Sequence, residues 1–195
     1  MMKKLLLLLL ISSWSLFAWG QIEKNHLLFG ISADADFFSS KGASNVNIEI
    51  NTDFQIAYFV KNKLALGAKL PFSYDSGWLI NSPVYHFERG IAPTIQYYPF
   101  GRKNAVAWFV WAETGIMAVS TSNFDFSGGP GVPVRRKGYD WFAGGGIGLN
   151  AFITNQVAFT ASAEARHTRP FNNIVLGIPT NASIKLGLTV FTKGK

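Results

Sequence analysis

The residues able to do chemistry in this chain fall into two patterns. Asp34, Asp36, Glu49, Asp53, Lys69, Glu88, Glu113, Glu164, Arg166 and Lys185 stand in stretches where apolar and polar positions alternate, each on the polar parity. Successive strand side chains point to opposite faces, so these charges gather on one side of any sheet the stretches form. Arg135-Arg136-Lys137 instead lies in SGGPGVPVRRKG (Ser127 to Gly138), where a Gly/Pro-rich run meets a basic triplet suited to holding an anion. Nucleophilic catalysis needs a base beside a Ser, Thr or Cys and a third group to orient it. His167 fails that test, because Arg169 stands two residues on and Thr168 has the opposite parity. His26 and His86 have no neighbour at zinc-ligand spacing. Gly144-Gly145-Gly146 lacks the Lys-Ser/Thr of a phosphate loop. The expectation is no catalytic residue, no metal and no cofactor.

The elements that must position these charges are strands. Leu27 to Phe37, Val46 to Val60, Leu64 to Tyr74, Tyr85 to about Tyr98, Val106 to Ala118, Tyr139 to Ile153, Val157 to His167 and Ser183 to Phe191 all alternate with period two. Lys61-Asn62-Lys63, Pro99 to Asn104 and Thr154-Asn155-Gln156 make short connections. Between them fall the longer Phe38 to Asn45, Asp75 to Val84, Val119 to Gly138 and Thr168 to Ala182. Short and long ends therefore alternate, as in an up-and-down barrel that crosses a membrane.

Composition says which face is inside. Of 195 residues, 15% are charged and 15% aromatic, and there is no cysteine, which excludes disulfides and thiolate metal sites. A soluble sheet would crowd its polar faces with Lys, Glu and Asp, whereas these carry mainly Gly, Ser, Thr, Asn, Gln, Ala and Phe with a few charges, and small residues suit a narrow interior. Each apolar face runs for about nine to eleven residues, the length a tilted strand needs to cross a bilayer. Tyr58, Tyr97, Tyr98, Phe100, Trp108 and Phe152 gather near the short-turn end. Phe37, Tyr74, Tyr85, Phe87, Tyr139 and Trp141 gather near the other, making two expected girdles at the lipid surfaces.

Residues 1–20 read as a cleaved export signal, with Lys3 and Lys4 before the apolar Leu5 to Ala18 and the small residues of Ala18-Trp19-Gly20 preceding Gln21. Their loss lowers the formal charge from +7 by two, to +5. For an exported chain that basic balance points to anionic lipid or an acidic surface and away from nucleic acid.

With FVKNKLALG (Phe59 to Gly67), PTIQYYPFG (Pro93 to Gly101) and IKLGLTVF (Ile184 to Phe191), the mature chain resembles the small eight-stranded outer-membrane barrels of OmpA and OmpX type. That resemblance implies an all-β fold: an eight-stranded antiparallel up-and-down transmembrane β-barrel over residues 21–195, with short periplasmic turns and longer extracellular loops. It also implies the outer membrane of a Gram-negative bacterium, a monomer, and contact with outer-membrane lipid and lipopolysaccharide or an extracellular partner through the loops. The expected role is structural or surface-interacting and non-enzymatic, with a narrow polar channel and a rim-located lipid A-modifying hydrolase as rivals. The parity would turn Asp34 to Lys185 inward as a polar network, leaving Arg135, Arg136 and Lys137, with Arg89 and Arg169, as a candidate anion-binding rim. Phe191 is out of phase with Ile184, Leu186, Leu188 and Val190, which predicts a terminal bulge or an assembly signal that tolerates the shift.

Overall fold

The computed structural model describes residues 22, 24–39, 46–79, 82–100, 105–125, 132–170 and 180–193. The expected export signal and its cleavage site lie outside these residues. Eight strands follow in order: β1 His26–Ser39, β2 Val46–Lys61, β3 Leu64–Leu79, β4 Ser82–Tyr97, β5 Val106–Asp125, β6 Val132–Phe152, β7 Val157–Pro170 and β8 Thr180–Lys193. Each pairs antiparallel with the next, and β1 pairs with β8, so the sheet closes on itself. Closure pairs each strand on both sides over the inner part of the barrel, the condition for a sheet in lipid.

Parity decides what each strand shows. Phe54, Ile56, Leu66, Leu70, Ile91, Ile95, Ile147 and Leu188 are exposed on the outer wall, while Asp53, Lys69, Thr94, Glu113, Asn150 and Lys185 on the intervening positions are buried. An apolar belt of this extent in water would be an aggregation surface, and against acyl chains it is the ordinary exterior of a membrane barrel. An interior eight strands wide holds side chains and little else. Glycine makes part of that room: a Cβ on Gly67 would meet the Ile56 carbonyl oxygen, and one on Gly187 the Ile31 carbonyl oxygen. At the turn after β2, Lys63 takes a φ of 70°, and the register slips between Phe59 and Lys61. This is the signature of a tight hairpin closed by a left-handed residue and a bulge.

The strands are longer than their alternation suggests. Asp75 to Val84 is mostly hairpin, since β3 and β4 pair as far as Leu79↔Ser82. Val119 to Gly138, expected as the longest loop, is mostly strand: β5 and β6 pair out to Asp125↔Val132. Period-two alternation fades there because a ribbon beyond the bilayer has no greasy side to keep. β4 leaves β5 at Tyr85↔Ser122, and β7 leaves β6 at Asp140↔Pro170, so beyond these points β5 and β6 pair only with each other among the described residues. At the seam the opposite happens. β1 and β8 pair only from His26↔Lys193 to Ala33↔Leu186, and a groove of about 740 Å³ opens above that point, lined by Ala33, Ile50, Ile184 and Leu186 together with Asp34 and Glu164.

Candidate functional site: the lumen and the outer rim

At the short-turn end the lumen is shut by an aromatic plug. Phe59 from the end of β2 packs against Tyr98 (5.5 Å between ring centres) and Phe191 (6.3 Å), Tyr98 against Phe109 (5.5 Å), and Phe152 against Phe191 (5.2 Å). Leu28 and Ile22 complete this apolar cluster. Tyr98 and Phe152, expected in the lipid girdle, turn inward because each has the parity of its strand's polar face; Tyr58, Tyr97, Phe100 and Trp108 are exposed on the outside. The phase of Phe191 needs no bulge. β8 keeps a regular register through Leu28↔Phe191, and the ring, 1% exposed, is part of the plug.

Above the plug lies a neutral polar layer. Asn150 Nδ2 donates to the Tyr98 hydroxyl (3.3 Å), Thr160 Oγ1 donates to Asn150 Oδ1 (2.7 Å), and the hydroxyls of Thr160 and Thr189 are 2.7 Å apart.

An ion network fills the next section. Lys185 Nζ stands 2.7 Å from both Asp53 Oδ2 and Glu164 Oε1, and Lys69 Nζ 2.8 Å from Glu113 Oε2. Arg166 Nη2 donates to Glu113 Oε1 (3.0 Å) and lies 3.6 Å from Asp53 and 3.7 Å from Glu164. Three cations thus face three carboxylates from β2, β3, β5, β7 and β8, an arrangement that only closure can assemble. The cations also rest on rings: Lys69 Nζ is 3.7 Å from the centre of the Trp111 ring, and Arg166 Cζ 5.0 Å from that of Phe142. Lys69 comes from β3, the strand beside that of Asp53. It is 3.6 Å away, but the tightest partner of Asp53 is Lys185, on the far side of β1. A small cavity of about 30 Å³ lies beneath, lined by Gln55, Gln96, Thr160 and Thr189 among others.

Outward of this network the lumen widens into a vestibule of about 480 Å³. Its wall carries Asp34, Glu49, Asp75 and Glu88, with His86 beside them. Asn51 Nδ2 donates to Asp34 Oδ1 (2.8 Å) and Glu49 Oε1 (3.0 Å), and Asp34 Oδ2 has no hydrogen-bond partner among the described residues. His86 Nε2 donates to Glu88 Oε1 (2.7 Å), and its Nδ1 lies 2.9 Å from the Thr121 hydroxyl. Asp140 has the same inward parity, opposite the buried Met117. Asp75, His86 and Asp140 were not among the expected interior residues: Asp75 falls one residue beyond the strand expected to end at Tyr74, whereas His86 and Asp140 lie within expected strands, on the polar parity at their outer ends. Trp111 and Phe142 were missed as well, although they share parity with Glu113 and Gly144. Asp36 pairs with Glu49 in the β1–β2 register, and its side chain lies outside the description.

The outer wall near the rim carries the opposite charge. Every described carboxylate on the strands has inward parity, whereas Arg89, Lys137 and Arg169 are exposed on outward positions. Arg135 and Arg136 lie in β6, not in a loop, and their side chains are outside the description. His167 packs edge-on to Trp141, 6.4 Å between ring centres, with Arg169 two residues on. Among the described residues no group of His, Asp or Glu is placed to hold a metal ion.

No family model matches the chain, and no curated protein is similar to it. Three solved structures have a similar overall form. The N-terminal β-barrel domain of Pseudomonas aeruginosa OprF is 15% identical, with a TM-score of 0.48 over 87% of this chain and 98% of that one. Neisserial surface protein A (NspA) is 16% identical, with a TM-score of 0.48 over 86% and 97%. The outer membrane protein OprG from Pseudomonas aeruginosa is 9% identical, with a TM-score of 0.49 over 90% and 99%. The chain is an eight-stranded barrel of outer-membrane form, a statement its own strand pairing and apolar outer wall carry.

Proposed function

We propose that this chain is a non-conducting outer-membrane barrel of a Gram-negative cell whose working surface is its outer end, serving a structural and surface-contact role without catalysis. The observation that carries the reading is the filled lumen. A plug of rings, a hydrogen-bonded layer and a charge-balanced ion network succeed one another between the periplasmic end and the vestibule. A channel needs a continuous wet path, and each of these layers interrupts it. The β5–β6 ribbon, which pairs on as far as Asp125↔Val132 past the ends of its pairing with β4 and β7, supports a surface-contact role.

Two measurements on the full chain test this. The protein is expected in the detergent-extracted membrane fraction and, unheated, to migrate differently from the boiled form. Recovery in the aqueous fraction would overturn the membrane reading. In planar bilayers the folded protein is expected to be silent; steady single-channel steps would overturn the non-conducting reading and leave the membrane reading intact.

A further inference from the structure

We propose that the outer wall between β4 and β6 is a binding site for a phosphorylated acyl lipid of the outer leaflet, with its phosphate held between Arg89 and Lys137. This rests on the membrane reading above and deepens it by naming a partner and a place.

The site is a trough of about 960 Å³. Its floor is β5, where Ala118 and Ser120 leave the sheet nearly bare, and its sides are Phe87 on β4 and Tyr139 on β6. The registers fix the relative heights: Arg89, Ala118 and Tyr139 share one level, while Phe87, Ser120 and Lys137 share the next one outward. Two strand spacings across and two residues along put the Cα atoms of Arg89 and Lys137 roughly 12 Å apart. Two long side chains can close that gap around one anion.

Three features select an acyl phosphate. First, Arg89 and Lys137 point away from all the inward carboxylates, and no ion pair reaches either of them among the described residues. A cation on the lipid face is costly at the bilayer midplane and cheap near the interface, so its counter-charge must come from the leaflet. Second, the level is that of the interface, marked by Tyr85, Phe87 and Tyr139, all exposed. Third, Ile116, level with the exposed Ile91 and Trp141 and one level below Arg89, continues the trough downward as an apolar wall, which suits acyl chains hanging from a phosphate and offers a free phosphate nothing. Arg169, beside Trp141 one level below Tyr139, adds a third outward cation.

The test uses the purified full chain in neutral detergent, with diphosphoryl lipid A as probe and native mass spectrometry as readout. Arg89→Gln with Lys137→Gln removes both charges from exposed positions and is expected to weaken lipid A binding at least about tenfold. Fully dephosphorylated lipid A should bind the parent and the variant alike. Lys61→Gln with Lys63→Gln, at the opposite end, should leave lipid A binding unchanged. Heat-modifiable migration of each variant confirms a folded barrel, which separates failure of this site from failure of the membrane reading. The site is overturned by lipid A affinity within about twofold of the parent in the Arg89/Lys137 variant. It is equally overturned by the same loss for the dephosphorylated lipid, or by displacement of lipid A with inorganic phosphate.

Discussion

The two halves of the lumen are built on opposite electrostatic plans. In the inner half, charges are buried and balanced: Asp53, Glu113 and Glu164 against Lys69, Arg166 and Lys185, capped below by rings. In the outer half, Asp34, Glu49, Asp75 and Glu88 crowd an open vestibule in which the described basic side chains are His86 on the wall and the Arg166 and Lys185 of its floor. The inner half is also closed all round, while the outer half has an open β1–β8 seam and a β5–β6 ribbon that pairs on past the ends of its pairing with β4 and β7. An unpaired ion is costly where water is absent and cheap where it is present. The balanced half is therefore constrained by stability, and the unbalanced half is free to vary its charge.

The largest effect should come from the centre of the balanced half. Lys185, 2% exposed, sits 2.7 Å from both Asp53 and Glu164. Lys185→Met would leave three carboxylates to two cations and is expected to destabilise the barrel by about 3–5 kcal/mol. The shift in urea midpoint for folding into lipid vesicles, read from heat-modifiable gel bands, measures it. Adding Glu164→Gln should restore part of the loss by removing one orphaned charge. A loss below about 1 kcal/mol would place Lys185 in a solvated setting and erase the contrast between the halves.

The plug comes next. Phe59→Ala removes the ring that touches both Tyr98 and Phe191, with an expected cost of about 3 kcal/mol, the low end for a buried aromatic because the cluster abuts the periplasmic water. The same variant should remain silent in planar bilayers, since the ion network above it is untouched. Conductance from Phe59→Ala alone would show that the rings are the seal and the ion pairs only its lining.

How much of this was legible in the residues follows from where lipid is. Parity is enforced wherever one face meets acyl chains, so the orientation of Glu49, Asp53, Lys69, Glu113, Glu164 and Lys185 can be read from their apolar neighbours alone. Who pairs with whom cannot. Lys185 meets Asp53 across 132 positions of sequence, through barrel closure. Parity also contained the inward turn of Tyr98 and Phe152, against their expected place in the girdle, and the out-of-phase Phe191 follows the same inward parity. At the outer rim the constraint lapses: β5 and β6 continue into water with no alternation to show it, Asp75 fell in an expected loop, and the polar parity of His86 and Asp140 at the ends of their strands went unused.

The smallest expected effect tests the outer half directly. Glu49 and Asp75 face each other in the β2–β3 register, a like-charged cross-strand pair that is mildly destabilising. Glu49→Gln keeps an acceptor for the Asn51 amide, now 3.0 Å from Glu49 Oε1, and removes the repulsion. The variant should be more stable than the parent by a few tenths, at most about 0.5 kcal/mol, at low ionic strength. At about 1 M salt, where the screening length falls to roughly 3 Å, the difference should vanish. Urea midpoints of both proteins at the two salt concentrations measure it. A salt-independent loss above about 1 kcal/mol would mean that Glu49 is tied into a buried network of its own. The vestibule would then be a second plug, and the division of the lumen into a sealed half and a solvated half would fall.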